Sequence, residues 1–193
     1  MPGLGALILV VGPSGAGKDT LLASAAEGLA SSGRFHFVRR AITRPAEAGG
    51  EDHIPINEAA FLTAEAEGDF LLSWRAHGLC YGIPRDPAAK LRETGTAIVA
   101  NVSRGVIDEA RGRLQPVSVI HVTASPQVLA ARLAARGRET AADIETRLAR
   151  AGAIGVTGPS VATVLNDRDL ETGIAAMIAA LEAASAAEWQ PTE

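Results

Sequence analysis

Cysteine occurs once in the 193 residues, at Cys80. No internal disulfide can form, and a structural zinc site made of cysteines is excluded. Lysine is almost as scarce: Lys18 and Lys90 are the only lysines among 18 basic residues, and the rest are arginines. Positive charge is not in surplus, because the formal net charge is −4. A nucleic-acid binder held by bulk electrostatics is therefore not expected, and any phosphate site must come from local clustering of arginine. Long apolar runs are missing too. The run at residues 6–11 is too short to span a membrane and lacks a basic flank, so neither an anchor nor a signal peptide is expected. Internal repeats are lacking. An apolar content of 47% with 21% charged residues excludes wholesale disorder and suits one core-burying domain, expected to be soluble and cytoplasmic.

The most informative stretch present is Leu7-Ile-Leu-Val-Val-Gly-Pro-Ser-Gly-Ala-Gly-Lys-Asp-Thr-Leu-Leu22. A β-branched apolar run leads into a glycine-rich turn, then a lysine, then a helical pattern. This is the layout of a phosphate-binding P-loop, in which Gly12, Gly15 and Gly17 let backbone N–H groups converge on an anion. The candidate nucleotide contacts are Gly12, Pro13, Ser14, Gly15, Ala16, Gly17, Lys18, Asp19 and Thr20, with Lys18 reaching the β- and γ-phosphates. The alternative is a flexible turn between strand and helix. It is disfavoured because a chain that otherwise uses arginine keeps a compact ammonium here. One letter departs from the motif: the hydroxyl residue expected after Lys18 is Asp19, followed by Thr20. A carboxylate there can bind Mg²⁺, so Asp19 and Thr20 are the candidate metal positions; a charge favoured by the helix dipole is the plainer alternative.

Strands are expected at 7–11, 35–42, 97–102, 117–123 and 161–166, and helices at 18–32, 57–67, 84–94, 104–113, 126–136, 140–152 and 168–188. Short apolar strands alternating with helices predict an α/β fold: a parallel sheet covered on both faces, with ligands at the strand C-termini. The segment 40–94, rich in Pro and Gly and holding most of the aromatic residues, is expected as an inserted substrate cap, and 126–154 as an arginine lid. The remaining stretches, 1–39, 95–125 and 155–193, form the expected core.

Two arginine clusters accompany the loop. Arg132 and Arg136 are spaced i, i+4, and Arg147 and Arg150 are spaced i, i+3, with Gly137 as a hinge. They suit a lid that neutralises charge during phosphoryl transfer, or, more plainly, solvated helix faces paired with acidic neighbours. Arg39, Arg40 and Arg44 leave a strand edge, where guanidinium forks match phosphate oxygens; Arg44 is the first choice for contact and Arg40 the next. Further on, Trp74 suits the cap core, whereas Tyr81 and His77 can reach a phosphate.

In order and spacing these pieces resemble the guanylate kinase family of P-loop nucleoside monophosphate kinases. The matching elements are Gly12–Lys18, Thr43-Arg44, Phe70 through Gly82, Arg132 and Arg136, Ile144 through Leu148, and Asn166-Asp167. The resemblance implies that Arg44 and Tyr81 hold the acceptor phosphate, and that Arg132, Arg136 and Arg147 serve ATP and the transferring group, with Lys18, Arg136 and Arg147 catalytic.

The departures remove the guanine readers. Ser73 stands where the family has a glutamate, Ile83 where it has a hydroxyl, and Ala100 and Val102 where it has aspartates. A second phosphate-binding arginine is missing from Pro45-Ala-Glu47. Cationic or small residues take over, among them Arg39, Arg40, Arg75, His77, Asn101, Ser103 and Arg104. A compact anionic acceptor is therefore expected, with Arg40, Arg44, Arg75, His77, Tyr81 and Arg104 around it. The strings Gly-Lys-Asp-Thr, Ile-Thr-Arg-Pro-Ala, Gly-Gly-Glu-Asp-His and Trp-Arg-Ala-His-Gly-Leu-Cys-Tyr-Gly-Ile-Pro are similar to the family of ribose 1,5-bisphosphate phosphokinases of phosphonate catabolism. That similarity implies ATP and Mg²⁺ as cofactors and a small sugar phosphate as partner, with no nucleic acid or membrane; a homodimer is the oligomeric alternative. The competing functions are a nucleoside monophosphate kinase acting on GMP and a non-catalytic guanylate-kinase-like interaction module, which need not keep Lys18 or the lid arginines.

Overall fold

The computed structural model describes residues 3–48, 51–135 and 155–186. Arg136, Arg147 and the helix expected over 140–152 lie outside the described residues. The first strand, β1 (Leu7–Val11), is buried throughout. Its side chains alternate between two apolar layers, as the two-residue period of a strand requires. Ile8 and Val10 face a layer with Leu21, Ala25, Leu29, Val122, Met177 and Leu181. Leu7, Leu9 and Val11 face a second layer with Ile98, Val106, Ile107 and Val119. Burying one such side chain stabilises the fold by about 1.5–3 kcal/mol, so the strand that ends in the loop is firmly anchored.

The main sheet is parallel, in the order β2 (Phe35–Phe37), β7 (Ala97–Asn101), β1, β8 (Val117–Thr123), β9 (Val161–Leu165). Its helices are α1 (Lys18–Leu29), α3 (Arg85–Glu93), α4 (Ile107–Arg113), α5 (Pro126–Ala135) and α6 (Leu170–Ala186). The α/β fold expected from the sequence is present, and the C-terminal ends of β1, β7 and β8 share one edge. On α6, Gly173, Met177 and Leu181 recur every four residues on the buried face.

A second sheet, in the order β4 (Ile54–Pro55), β3 (Ala41–Ile42), β6 (Leu79–Pro84), β5 (Phe70–Ala76), forms over 41–84. The single strand expected over 35–42 is two strands. The extended chain leaves the main sheet after Phe37, passes through the polar pair Arg39-Arg40 and joins the second sheet at Ala41. Helix α2 (Glu58–Glu67), capped by Asn57, covers one face of this sheet through Phe61 stacked on Phe70. The other face carries Trp74 and Tyr81, and Trp74 joins the core layer of β1. No helix among the described residues is long and apolar enough to cross a membrane.

Candidate active site

The loop after β1 has the backbone its glycines permit. Gly12 has φ 151°, and a Cβ there would lie 2.0 Å from the Val122 carbonyl oxygen. Gly17 has φ 87°, and a Cβ there would lie 2.5 Å from Asn166 Nδ2. At both positions a larger residue is strained by conformation and must displace the neighbour it meets. Asn166, at the end of β9, is buried and donates from Nδ2 to the Ala16 carbonyl at 2.9 Å, while Asp167 accepts from the Ser125 N–H at 2.6 Å. Lys18 Nζ donates to the carbonyls of Gly12 (2.8 Å) and Pro13 (3.0 Å), which places the ammonium in the mouth of the loop.

One cavity of about 500 Å³ joins this loop to the second sheet. From the loop side it is lined by Gly12, Pro13, Ser14, Lys18 and Asp19, and from the sheet side by Arg40, Arg44, His77 and Tyr81. Arg104, on the turn after β7, completes it. Gly15, Ala16 and Gly17 form the turn beneath. Ten of the candidate residues, from four separate stretches of chain, thus share one space.

Three further candidates do not line the cavity. Arg75 belongs to the opposite face of β5, because Trp74 and Ala76 take the cavity side and alternation sends Ser73 and Arg75 toward α2. There Arg75 donates from Nη1 and Nη2 to Glu65, at 2.5 and 2.6 Å, and Ser73 donates to the same carboxylate at 2.6 Å. These bonds, Arg75 first and Ser73 next, hold the Glu65 carboxyl down to about 2. Thr20 is on the exposed side of α1 and does not line the cavity. Arg132, on α5, has Nη1 buried without a hydrogen-bond partner among the described residues, 4.0 Å from a Cβ built on Gly17.

The electrostatics separate the three strand-edge arginines. Arg40 is buried and paired with Glu51, with Nε donating to Oε2 at 3.1 Å and Nη2 to both carboxylate oxygens. Its guanidinium lies 5.2 Å from the Tyr81 ring centre and 5.9 Å from that of Trp74, and these two rings stack 5.4 Å apart at 6°. Arg39 is exposed and pairs with Asp52. Arg44 has its Nε buried without a partner among the described residues. Burial raises the Tyr81 phenol, against a smaller lowering by Arg40 and Arg44, so it stays a neutral donor.

Glu51 and His121 belong to this electrostatic set although neither is among the candidate residues named from the sequence. His121 is the one imidazole in the apolar run of β8, in register with Val11. Its Nε2 is buried without a hydrogen-bond partner among the described residues, and its pKa is lowered by burial first, then by Arg104 and Lys18. A histidine inside an otherwise apolar strand is the signal that could have marked it.

The donor set suits a magnesium ion. Asp19 is a hard carboxylate beside the loop, held by Asn101 Nδ2 at 2.7 Å. No group of three or more His, Cys, Asp or Glu side chains that could hold a metal ion exists among the described residues.

No protein-family model matches the chain. The ribose 1,5-bisphosphate phosphokinase PhnN of Methylobacterium radiotolerans is 49% identical over 179 residues, spanning 93% of this chain and 98% of that protein. The chain belongs to the ribose 1,5-bisphosphate phosphokinase family. A second phosphokinase, PhnN of Rhizobium etli, is 46% identical over 186 residues, spanning 94% of this chain and 93% of that protein. In fold the phosphokinase chain is similar to guanylate kinase from Anaplasma phagocytophilum, with a TM-score of 0.67 over 96% of this chain and 89% of that one, at 17% identity. It is thus a nucleotide-using kinase with the P-loop α/β architecture.

Proposed function

We propose that this chain transfers the γ-phosphoryl group of ATP to the 1-phosphate oxygen of ribose 1,5-bisphosphate, giving 5-phosphoribosyl 1-diphosphate and ADP, within phosphonate catabolism. The observation that carries it is the shared cavity: a P-loop lysine on one side, Arg44, Tyr81, His77 and Arg104 on the other, and apolar Trp74, Ala76 and Val102 in the lining.

The accepting oxygen is anionic near neutral pH, since a phosphate monoester loses its second proton near pH ~6. No general base is required, and catalysis rests on alignment and charge neutralisation. Lys18 and the loop N–H groups hold the β- and γ-phosphates. Arg44 and the Tyr81 hydroxyl anchor the acceptor, while Arg104 adds positive charge and His77 a hydrogen-bonding ring at its edge. Arg132 approaches the nucleotide from α5. Arg136 and Arg147, outside the described residues, are assigned to the transferring group. Mg²⁺, when bound, neutralises the β- and γ-phosphate oxygens, and Asp19 is the residue that would hold it. Residues 40–94 act as the acceptor cap, and the lid is assigned to 126–154, most of which falls outside the described residues.

Mixing the purified protein with ATP·Mg and either ribose 1,5-bisphosphate or GMP, and following ADP and product phosphorus signals, tests the assignment. The sugar bisphosphate should turn over and GMP should not. GMP turnover without a sugar product would overturn it. Lys18→Ala should lower kcat by roughly 10²–10³-fold and remove the melting shift given by ATP, because the lysine contacts the transferring phosphates.

A further inference from the structure

The Gly49-Gly50-Glu51-Asp52-His53 string has no role in the chemistry so far, yet its last three residues each grip a different arginine. Strands β3 and β4 run parallel with Ala41 opposite Ile54, so the residues before β4 lie alongside those before β3. The Ile54 N–H donates to the Arg40 carbonyl at 2.8 Å and seals this alignment. Glu51 then takes Arg40, Asp52 takes Arg39, and His53 takes Arg44. Among these arginines Arg44 has no carboxylate partner among the described residues, and it lines the cavity.

His53 is 5% exposed, which keeps it from touching a ligand. Its Nε2 lies 3.1 Å from the Arg44 carbonyl oxygen, and Arg44 Nη2 lies 3.4 Å from its Nδ1. A neutral ring protonated at Nε2 makes both contacts at once: it donates to the Arg44 backbone and accepts from the Arg44 side chain. The other tautomer donates from Nδ1 to the Glu51 carbonyl, at 3.0 Å, and gives up both Arg44 contacts. Thr43 fixes the preceding residue, with its Oγ1 accepting from the Cys80 N–H at 2.8 Å.

We infer that His53 is a positioning residue for the acceptor site, clamping Arg44 by backbone and guanidinium at once, while Glu51 commits Arg40 to supporting the Tyr81 ring instead of binding phosphate. The inference rests on the acceptor being a sugar phosphate held by Arg44. An ordered guanidinium loses less entropy on meeting a phosphate, so the clamp contributes to acceptor affinity and not to the chemical step.

Steady-state kinetics of His53→Phe and His53→Gln test it. Phenylalanine keeps the ring and removes both contacts; glutamine keeps one donor and one acceptor. His53→Phe should raise the acceptor KM about 10–100-fold, with kcat and the ATP KM within about twofold, as expected for losing a hydrogen bond to a charged group. His53→Gln should return the acceptor KM to within about fivefold of wild type. An unchanged acceptor KM in His53→Phe, or a parallel loss of ATP affinity and kcat, overturns the clamp. Should His53→Phe fail to fold, His53→Asn, too short to reach the Arg44 carbonyl, is compared with His53→Gln, and equal acceptor KM values overturn it. No wild-type turnover of ribose 1,5-bisphosphate would count against the substrate alone. The clamp is then read by melting shifts with ribose 5-phosphate in the presence of ADP·Mg: present in wild type and His53→Gln and lost in His53→Phe if it holds, equal in all three if it does not.

Discussion

Asn101 Nδ2 donates to Asp19 Oδ1 at 2.7 Å, tying the end of β7 to the first turn of α1. The bond turns the residue that departs from the P-loop motif into an oriented carboxylate at the cavity wall. Replacing Asp19 by Asn removes the charge and keeps the size. The Mg²⁺ concentration for half-maximal rate should then rise about tenfold or more, because a hard anionic ligand is lost. Were Asp19 only a partner of the helix dipole, Asp19→Asn would cost about 0.3–1 kcal/mol of stability and leave the Mg²⁺ titration alone. Magnesium titrations of rate, with thermal melts of the nucleotide-free protein, separate the two.

Gly17→Ala should damage the loop through a neighbour far along the chain. The added methyl meets Asn166 Nδ2, at 2.5 Å, and disturbs the bond to the Ala16 carbonyl. The expected result is a stability loss of about 1–3 kcal/mol from the strained backbone and the disturbed buried amide, together with loss of the ATP-induced melting shift.

Arg92, buried on α3, donates from Nε to the Gly5 carbonyl at 2.8 Å and from Nη2 to those of Leu114 (2.6 Å) and Pro116 (3.3 Å). It thereby fastens the starts of β1 and β8 at the edge of the sheet opposite the cavity. Arg92→Met fills the same volume but leaves these carbonyls unsatisfied, which should cost about 2–4 kcal/mol. Tm should fall by roughly 4–16 °C at that cost. Kinetic constants measured well below Tm should stay within about twofold of wild type, because the fastening lies outside the site.

Stability should decline on the acid side of neutrality. His121 has its pKa lowered from 6.5 in the fold by burial, Arg104 and Lys18, so between the folded and unfolded values the unfolded chain binds more protons. Its contribution is complete above pH 6.5 and is lost as pH falls toward the folded value. Tm measured from pH 8 to 5 should drop less steeply in His121→Asn than in wild type. His36, lowered by burial alone, supplies part of the remaining slope, and the His36→Asn, His121→Asn double variant should be flatter still. Equal slopes in wild type and His121→Asn would refute the assignment.

Local periodicity and glycine spacing made part of this protein legible before any tertiary contact is considered. The strands at Leu7–Val11 and Val117–Thr123 were readable residue for residue, because the first is a short, unbroken, fully buried apolar run and the second is a mostly buried run rich in β-branched residues. The loop was readable because three glycines and a lysine at that spacing answer to phosphate chemistry. Arg44, Tyr81, His77 and Arg104 were named from the pattern and do meet in one cavity.

Tertiary structure alone decided which cations face that cavity. Arg39, Arg40, Arg44 and Arg75 look alike in sequence, yet one is paired at the surface, one is buried against Glu51, one is gripped by His53 and one points toward α2. The physical reason is that a guanidinium's role depends on the nearest carboxylate and on which strand face it occupies. Both are settled by register between segments, such as β3 against β4, that no local pattern encodes.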